Sequence, residues 1–447
     1  MRRIAVITGT RAEWGILKSV CAAIRARADL SLTVFAGGAH LLPPANTIDE
    51  VRAFAPDAIL FEMQREGEAG RLADAAALGR GIQHLSALLH VMAPDIVLVL
   101  GDRIEAFAGA TAASVGGIHV AHIHGGDRAE GVADEAMRHA ITKLAHIHLP
   151  ATAQSAERIR RMGEHAAQVH VVGSPAIDAI ATIPAISDAR YEELGRPEFL
   201  FLMHPTGRSP SDERADAELI LAALAHRKAT LCLAPNADAG AEGIAQAIAE
   251  AQRTTPRAFH TTAHLPREEF IGLLKRRELR ALIGNSSAGL IECAALGTRV
   301  LNIGTRQQGR ERADNVSDCT AADTKDALHE LLIKTLACRH PYGDGHASER
   351  IATVLATADF TVHAIAKRNA YQRLTSVAAS SGAECDACEA EDGECARCWR
   401  DWAVFAWVAV LVNAVEICIA AALDEVCLVL RIVCVGEEHA GVGVTCE

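Results

Sequence analysis

Residues 118–148 read IHVAHIHGGDRAEGVADEAMRHAITKLAHIH, and the change of period along this stretch indicates the fold. Its first part, Ile118–Ile123, has the apolar, β-branched character of a buried strand. Gly125 and Gly126 then break the strand and let the backbone turn sharply. A helix is expected to begin near Asp134, because acidic residues in a first turn suit the positive end of the helix dipole. Strand, turn and helix in this order are the unit of an α/β fold.

The polar side chains of this stretch collect at the carboxyl end of the predicted strand. Because side chains alternate along a strand, His122 and His124 project to the same face. Residues four apart can meet on the predicted helix. The two such pairs are Asp134 with Arg138 and Glu135 with His139. Together with the turn Gly101-Asp102-Arg103, they predict a ligand site, since ligands bind at the carboxyl ends of strands in open α/β sheets.

Strand-like and helical runs alternate from Arg3 to about Val172 and again from Phe199 to Ile303, which predicts two doubly wound parallel sheets. A long amphipathic helix over Gly70–Val91 is stopped by Pro94. The predicted strands are Ile4–Thr8, Leu32–Ala36, Ile59–Glu62, Ile96–Leu100, His119–Ile123, His146–Leu149, Val169–Val172, Phe199–Met203, Thr230–Ala234, Ala258–Thr261, Ala281–Ile283 and Val300–Ile303. We expect domains at 1–174 and 175–370, with a linker over Pro175–Pro197 and a small-molecule site in the cleft between them.

The turn after the first strand argues against a nicotinamide cofactor. It reads Gly9-Thr10-Arg11-Ala12-Glu13-Trp14-Gly15, with an arginine where a dinucleotide fold has glycines. No cofactor is therefore expected.

An anionic ligand is favoured instead. Ser286 and Ser287 begin a helix predicted over Ala288–Leu296, where free N–H groups and the dipole attract anions. Ordinary serine N-capping explains the same residues. Several arginines lie nearby in the sequence or in the other predicted domain, and their guanidinium groups suit phosphate oxygens. They favour an anion site over a simple N-cap. They belong to Arg11, Arg103, Arg306, Arg310 and Arg312.

Charge is unevenly placed along the 447 residues. The last stretch, 375–447, holds 13 acidic and 3 basic residues and so carries most of the net charge of −12, which leaves a nearly neutral body. That body has no basic field for nucleic acid. The start of the chain has no secretory signal, so residues 1–370 are predicted to be cytoplasmic and without a membrane span.

The same last stretch contains 8 of the 13 cysteines and 3 of the 4 tryptophans, which marks a boundary near residue 374. Two Cys-x-x-Cys pairs, Cys385/Cys388 and Cys395/Cys398, have zinc-knuckle spacing with a short gap between them. The run Trp402–Leu423 is long enough to cross a bilayer, although polar residues interrupt it. We assign no function to residues 371–447, and an unrelated appendage or an out-of-frame translation accounts for them best.

Each candidate site residue also has a plainer interpretation. Asp102 is either a turn aspartate that closes a strand or a carboxylate poised for proton transfer in the cleft. His122 and His124 are polar residues satisfied at a strand end, or site residues, or metal ligands together with Asp127 and His139. The arginines nearby fit an anionic organic substrate without a metal better, so no metal is expected.

Taken together, several segments resemble the hydrolysing UDP-N-acetylglucosamine 2-epimerases, including relatives that act on UDP-N,N′-diacetylbacillosamine. The resemblance spans roughly residues 3–370 in the family's order. The matching segments are GTRAEWG, GDRIEAFAGA, HIHGGDRAEGVADEAMRHAITKLAH, VVGSPAID, HPTG, APNADAG, IGNSSAGLIECAALGTRVLNIGTRQQGRER and PYGDGHASERI. It implies two Rossmann-like domains arranged as in B-type glycosyltransferases, a UDP-sugar in the cleft, and a homo-oligomer without nicotinamide.

The family reaction eliminates UDP across C1–C2 to a glycal and then adds water with inversion at C2, which supplies precursors of sialic or legionaminic acid. By resemblance, Asp102 and Asp134 match the family's catalytic acids. The positions that match UDP or sugar contacts are Arg11, Arg103, His204, Asn236, His264, Ser286, Ser287 and Glu292, and Arg306 joins this predicted set.

One departure concerns the catalytic glutamate of many members, where this chain has His124. Either a neutral imidazole at His124 acts as base near pH 7, or Asp127 or Glu130 takes over after a small loop shift. Three rival functions also fit parts of the pattern. They are a UDP-sugar glycosyltransferase of the same architecture, a metal-dependent hydrolase built on the His119–His148 cluster, and a non-catalytic UDP-sugar sensor.

Overall fold

A computed structural model describes residues 1–43, 46–68, 70–129, 134–227, 229–236, 238–336, 339–360, 367 and 369–370. The expectations for the cysteine pairs, the apolar run and the rest of the last stretch lie outside these residues. So does Glu130.

The first sheet has six parallel strands in the order β3-β2-β1-β4-β5-β6. The strands are β1 (Arg2–Thr8), β2 (Leu30–Ala36), β3 (Ile59–Leu60), β4 (Ile96–Leu100), β5 (His119–Ile123) and β6 (Ile147–Leu149). The helices that connect and cover them are α1 (Arg11–Arg25), α2 (Ile48–Phe54), α3 (Arg71–Met92), α4 (Ile104–Val115), α5 (Asp134–Leu144) and α6 (Ala153–Arg161).

The second sheet repeats this topology, with the order β12-β11-β10-β7-β8-β9 and all strands parallel. Helix α7 (Asp188–Glu193) precedes it. The strands are β7 (Phe199–Leu202), β8 (Thr230–Leu233), β9 (Phe259–Thr262), β10 (Ala281–Gly284), β11 (Arg299–Ile303) and β12 (Val316–Cys319). The helices are α8 (Pro210–Leu224), α9 (Ala241–Thr254), α10 (Arg267–Leu274), α11 (Ser287–Leu290), α12 (Glu292–Leu296), α13 (Thr324–Ile333) and α14 (Ala347–Thr357). Two doubly wound α/β sheets confirm the predicted fold class.

Alternation of side chains along the central strands fills both faces of each sheet. In β1, Ile4 and Val6 join the core on one face, and Ala5 and Ile7 join the core on the other. Strands buried on both faces read as continuous apolar runs, which is why these segments stand out in the sequence.

Local sequence accounts for the ends of two long helices. Thr10 and Glu13 form a capping box at the start of α1, so that two N–H groups without helical partners are satisfied reciprocally. Helix α3 ends at Met92 and is capped by Ala93, whose φ of 43° is left-handed and which immediately precedes Pro94. The prediction of a helix stopped by this proline is confirmed.

Two local predictions were wrong, and one strand was missed. Val169–Val172 pairs with β6 through a single bridge, from Val169 to His148, because its next backbone hydrogen bond, from the Val172 N–H to the Pro150 carbonyl oxygen at 3.1 Å, lies beyond the end of β6. The strand Val316–Cys319 was missed because Ser317 and Asp318 interrupt its apolar pattern. The helix predicted over Ala288–Leu296 is broken at Ile291, whose φ and ψ of −103° and −69° depart from helical values and separate α11 from α12.

The chain crosses between the two sheets twice, and the crossings lie side by side. The Ser174 N–H donates to the Tyr342 carbonyl oxygen at 2.8 Å. After the second crossing, α14 packs on the first half, where Ile351 and Leu355 join the same core as Ile24 of α1. Asp178 anchors this return, because its carboxylate accepts hydrogen bonds from N–H groups in the first turn of α14. Within the part of the chain that the structure describes, no helix combines the length and the apolar character that a bilayer crossing needs.

Candidate active site

The predicted site residues follow the strands at which the strand order reverses. In the first sheet the reversal lies between β1 and β4, and in the second between β7 and β10. Arg11 follows β1, Asp102 and Arg103 follow β4, His204 follows β7 and Ser286 follows β10. Such reversals open a crevice at the carboxyl ends of the strands, where ligands bind in this class of fold.

Asp102 is held by a buried arginine. Its carboxylate forms an ion pair with Arg138 of α5, which is 3% exposed, while the Asp102 side chain keeps 20% of its surface accessible. The sequence pattern paired Arg138 with Asp134 along the helix. The side chain of Asp134 lies outside the described residues, and the partner that the structure shows for Arg138 is Asp102. The second predicted pair forms, with His139 Nε2 3.2 Å from Glu135 Oε1.

Arg138 is surrounded by further positive charge. Burial lowers the pKa of Arg138, and the charges of Arg310, Arg306 and Arg158 lower it further. Two of its nitrogen atoms, Nε and one Nη, are buried and have no hydrogen-bond partner among the described residues. Guanidinium groups from both halves therefore converge beside Asp102, an arrangement that suits an anionic ligand.

His122 supports the backbone of the turn that carries Asp102. Its Nε2 lies 2.7 Å from the Gly101 carbonyl oxygen, and its Nδ1 lies 3.2 Å from Thr142 Oγ1. Burial lowers the pKa of His122 to about 3, so the ring is neutral. A neutral ring donates from Nε2 to the carbonyl and accepts at Nδ1. The sequence analysis placed His122 and His124 on the same face as possible site residues. In the structure, both ring nitrogens of His122 have partners within the first half, and the side chain supports the backbone at Gly101.

His124 has a left-handed backbone and two side-chain partners. Its φ is 61°, an uncommon value for a residue other than glycine. Its Nδ1 lies 3.3 Å from Asp127 Oδ2, and its Nε2 lies 3.0 Å from Ser174 Oγ. Asp127 is almost fully buried and accepts a hydrogen bond from Ser155 Oγ at 2.8 Å. Burial alone would raise the pKa of Asp127, but His124, Arg310 and Ser155 outweigh it and lower that pKa to about 2.

The remaining imidazoles of the stretch have separate partners. His119 stacks on Phe360, His146 accepts a hydrogen bond from the Val120 N–H, and His148 Nε2 lies 3.0 Å from Glu164. The described histidines between His119 and His148 do not converge on one point, and none of the described clusters of His, Cys, Asp or Glu has metal-site geometry.

In the second half, Asn285 ties two strand ends together. Its side chain accepts from the His204 N–H at 2.7 Å and donates to the His204 carbonyl at 2.8 Å. The preceding Gly284 has a φ of 145° and lies so close to Leu202 that a Cβ would meet the Leu202 carbonyl oxygen at 1.9 Å. Only glycine fits, so the β10 turn is held directly against the β7 turn.

His204 presents one hydrogen-bond donor to the cleft. Its Nδ1 accepts from the Asn236 N–H at 3.1 Å, and burial together with the charge of Arg306 lowers its pKa to about 3. The neutral ring therefore carries its proton on Nε2. The Asn236 amide donates to Asp238, while its Oδ1 is buried with no partner among the described residues.

The serine turn is an N-cap in which Ser286 is buried. Ser286 caps α11 and its Oγ accepts from the Ala288 N–H, and the half-buried Ser287 is the first residue of that helix. Glu292 begins the separate helix α12, where its Oε1 accepts from Arg267 at 3.2 Å. The break at Ile291 places Glu292 at a helix start, not within the helix of Ser286 as the sequence indicated.

Several side chains join the two halves across the crevice. Arg103 donates to Asp238 Oδ1 through both terminal nitrogens, at 3.3 and 3.4 Å. Thr152 donates to Glu311, and Arg310 donates to the Arg128 carbonyl at 3.3 Å.

Arg11 also faces the second half. Burial lowers the pKa of His264 to about 4, and the charge of Arg11 contributes. The His264 Nε2 is buried with no partner among the described residues. Arg306 donates to the Asn285 carbonyl at 3.2 Å, which places it beside the serine turn.

Sequence reasoning missed two residues of this candidate site, Ser174 and Asp238, and it missed the contact of Arg138 with Asp102. All three depend on distant segments that meet only in the fold. Asp238 carried a weak signal, since it lies in a polar turn directly after a predicted strand.

Comparisons with known proteins match nearly all of the described chain. A family model described as UDP-N-acetylglucosamine 2-epimerase matches residues 22–356. A relative from Legionella pneumophila, named UDP-N,N′-diacetylbacillosamine 2-epimerase (hydrolyzing), is 34% identical over 384 residues, which cover 83% of this chain and 100% of the relative. The UDP-N-acetylglucosamine 2-epimerase of Neisseria meningitidis is 33% identical over 343 residues, covering 74% of this chain and 87% of the relative.

The fold is shared with solved structures. A crystal structure of UDP-GlcNAc 2-epimerase from Neisseria meningitidis bound to UDP-GlcNAc superposes with a TM-score of 0.68 at 19% identity, covering 79% of this chain and 99% of that one. This likeness confirms the predicted arrangement of two Rossmann-like sheets.

Proposed function

Because the chain belongs to the UDP-N-acetylglucosamine 2-epimerase family, we propose that it is a hydrolysing 2-epimerase that acts on a UDP-linked 2-acetamido sugar. The observation that carries this proposal is the carboxylate of Asp102, partly accessible and held by the buried Arg138 amid other guanidinium groups. A base beside an anion-binding surface is what elimination of a diphosphate from a sugar requires.

The second half supplies the groups that suit the nucleotide. His204 offers an N–H donor, and the serine turn offers hydroxyl and backbone N–H groups. Arg306 lies beside the same turn, and Arg11 and His264 face each other across the crevice. We propose that UDP binds between these residues, with its diphosphate directed toward Arg306, Arg310 and Arg138.

The first chemical step is elimination. A base removes the C2 proton, the C2–H electron pair forms the C1=C2 double bond, and the C1–O bond breaks so that its electrons leave with UDP. Asp102 is the proposed base, because its carboxylate is partly accessible and is held by Arg138. The arginines stabilise the negative charge that grows on the leaving diphosphate.

The second step is addition of water to the glycal. Hydroxide adds at C1, and a proton reaches C2 on the face opposite to the one that the first proton left. Inversion therefore calls for a second acid–base group on the other face of the ring. We place His124 in this role, with Asp134 as a further candidate.

Two substrates fit this chemistry, UDP-N-acetylglucosamine and UDP-N,N′-diacetylbacillosamine, as the names of the two relatives illustrate. Both products, the free 2-epimeric sugars, would serve nonulosonic acid biosynthesis. The homo-oligomer that the resemblance implied stays a prediction.

The direct test is to incubate the protein with each UDP-sugar in D₂O and without any acceptor. We expect UDP and a free 2-epimeric sugar that carries deuterium at C2. Asp102→Asn should lower kcat by about 10²- to 10⁴-fold, the usual effect of losing an acid–base group. Release of the unepimerised sugar would contradict the proposal, as would a requirement for an acceptor, which indicates a glycosyltransferase.

A further inference from the structure

A cavity of about 270 Å³ lies at the carboxyl ends of β2 and β3, outside the residues assigned so far to the candidate site. Whole small-molecule sites usually measure about 300–1,000 Å³, so this cavity suits one substituent of a larger ligand. Leu41, Leu42 and Met63 form its apolar wall, and the amide side chain of Gln64 lies beside them.

Gln64 has one satisfied and one unsatisfied end. Its Nε2 donates to Glu105 Oε1 at 2.7 Å, and Glu105 is almost fully buried. This contact fixes the orientation of the amide, because only the nitrogen can donate to the carboxylate. The Oε1 that remains is buried and has no partner among the described residues. A buried acceptor of this kind calls for a donor, which a ligand in the cavity can supply.

Two contacts attach the cavity wall to the turn that carries Asp102. Gln64 is joined through Glu105 to Arg103, whose Nε lies 3.7 Å from Glu105 Oε2, and Arg103 directly follows Asp102. Gly38 packs against the same carboxylate, since a Cβ at this position would lie 2.5 Å from Glu105 Oε1. The cavity is therefore next to the turn of the proposed base.

The strand order sets the direction of the sugar. Asp102 follows β4, with the cavity after β2 and β3 on one side and Arg138, on the helix after β5, on the other. The segment after β3 also reaches the second half, because a Cβ at Gly207 would meet Arg71 Nη2 at 3.0 Å. With the diphosphate on C1 directed toward Arg138 and C2 at Asp102, C4 points toward the cavity, since C4 lies across the pyranose ring from C1.

The charges around the cavity favour a neutral group. Glu62 and Glu66 line it together with Arg65, so carboxylates outnumber guanidinium groups in its wall. A phosphate group would be repelled there. A neutral amide can donate its N–H to Gln64 and bury a methyl group against the apolar wall.

We propose that this cavity binds an acetamido group on C4 of the sugar, with the N–H donated to Gln64 Oε1 and the methyl group packed on the apolar wall. The inference rests on the proposed function and narrows it. Of the two candidate substrates, the preferred one is UDP-N,N′-diacetylbacillosamine, which carries acetamido groups at both C2 and C4. UDP-N-acetylglucosamine has a hydroxyl group at C4 and leaves the apolar wall uncovered.

Steady-state kinetics with the two UDP-sugars measures this preference. We expect kcat/KM of the wild type to be about 10- to 200-fold higher for the diacetamido substrate, the usual range for one small apolar group in a fitted pocket. Gln64→Leu, which removes the acceptor, should reduce this ratio by about tenfold or more. Leu41→Phe, which fills the cavity and keeps every hydrogen bond of Gln64, should do the same. Leu219→Phe, the same exchange at a half-exposed position on α8, is the control and should keep the wild-type ratio.

Equal kcat/KM for the two substrates in the wild type would overturn the inference. Variants that unfold at the wild-type temperature but slow both substrates equally would also overturn it, because Gln64 would then only support Glu105, or the cavity would hold the C2 acetamido group that both substrates share. Calorimetric Kd values of both UDP-sugars in an Asp102→Asn background test the preference without turnover. A binding preference that Leu41→Phe removes, in a protein whose wild type releases neither sugar, would refute the proposed function and support this inference.

Discussion

Arg138 is the side chain on which Asp102 depends for its position. Its guanidinium is almost fully buried, and its charge faces Arg158, Arg306 and Arg310. A buried cation among like charges is an unfavourable choice for stability alone. We infer that Arg138 is placed here because it orients the Asp102 carboxylate.

Arg138→Met should therefore separate stability from activity. Arg138→Met removes a desolvated cation but leaves the partly accessible Asp102 carboxylate without its partner, so the thermal unfolding temperature should fall only slightly. The value of kcat should fall by about 10²-fold, since Asp102 loses the contact that orients it. Arg161→Met, which changes an exposed arginine paired with Glu157, is the matched control. Wild-type kcat in Arg138→Met would show that Asp102 needs no support from this residue.

At the residue scale the sequence predicted most residues of the candidate site but few of their contacts. Asp102 and His124 were predicted as site residues because acids and imidazoles followed predicted strands. Their partners Arg138 and Ser174 lie 36 and 50 residues away along the chain. Spacing along a helix paired Arg138 with Asp134, since sequence shows only local neighbours. The tertiary contact of Arg138 with Asp102 could not be predicted from this local spacing.

At the scale of elements, α5 carries Arg138 and is held at its carboxyl end by ion pairs to the buried Glu164. Lys143, in the last turn of α5, contacts Glu164 at 2.6 Å, and Lys367 contacts the same carboxylate at 2.7 Å. Lys367 also donates to the carbonyls of Thr142 and Lys143. These carbonyls have no helical donor, so Lys367 acts as a C-cap supplied from the end of the described chain.

Glu164→Gln should destabilise the protein in a pH-dependent way. Burial alone would raise the pKa of Glu164, but His148, Lys143 and Lys367 lower it from 4.5 to about 2. Because the folded pKa is depressed, this stabilisation is present above about pH 4.5 and is lost as the pH falls toward 2. The shift corresponds to about 3 kcal/mol, so the melting temperature at pH 7 should fall by roughly 5 °C.

Thermal unfolding of wild type and Glu164→Gln, followed from pH 7 downward, measures this effect. The difference between the two proteins should shrink below pH 4.5. Glu157→Gln is the control, because that glutamate is exposed and pairs with the surface arginines Arg160 and Arg161. A difference that stayed constant with pH would show that lost packing, and not charge, causes the destabilisation.

Elements with a clear period were predictable and irregular ones were not. The apolar runs of β1, β4 and β7 and the long helix α3 were recognised from alternation and helical spacing. The strand β12 was missed because polar residues interrupt its apolar pattern. The break at Ile291 could not be predicted, because the apolar spacing of the segment continues through it. Such irregularities are set by neighbouring elements, which a single stretch of sequence does not contain.

At the scale of the whole molecule, Arg103 and Asp238 link the two halves across the crevice. Burial alone would raise the pKa of Asp238, but Arg103 and Arg306 outweigh it and lower that pKa, so the carboxylate is ionised. Asp238 therefore places a negative charge beside the guanidinium groups that are proposed to bind the diphosphate. It competes with the ligand for them.

Asp238→Asn should consequently tighten UDP binding. We expect Kd, measured by calorimetry at low ionic strength, to fall by about three- to tenfold, and the difference to vanish near 1 M salt, where charges are screened. The control is Asp216→Asn. It removes a carboxylate on α8 that pairs with Arg208, and so tests the loss of a charge elsewhere in the same half. Weaker binding in Asp238→Asn would show that this carboxylate contacts the ligand directly.

The side-by-side crossings at Ser174 and Tyr342 have a mechanical consequence. The hydrogen bond between the two crossings resists sliding of one segment past the other. Since Ser174 belongs to one crossing and is also the partner of His124, the position of this imidazole is tied to the junction of the two halves. We expect any rotation of the halves about this junction to displace His124 less than the groups on the far margin of the crevice.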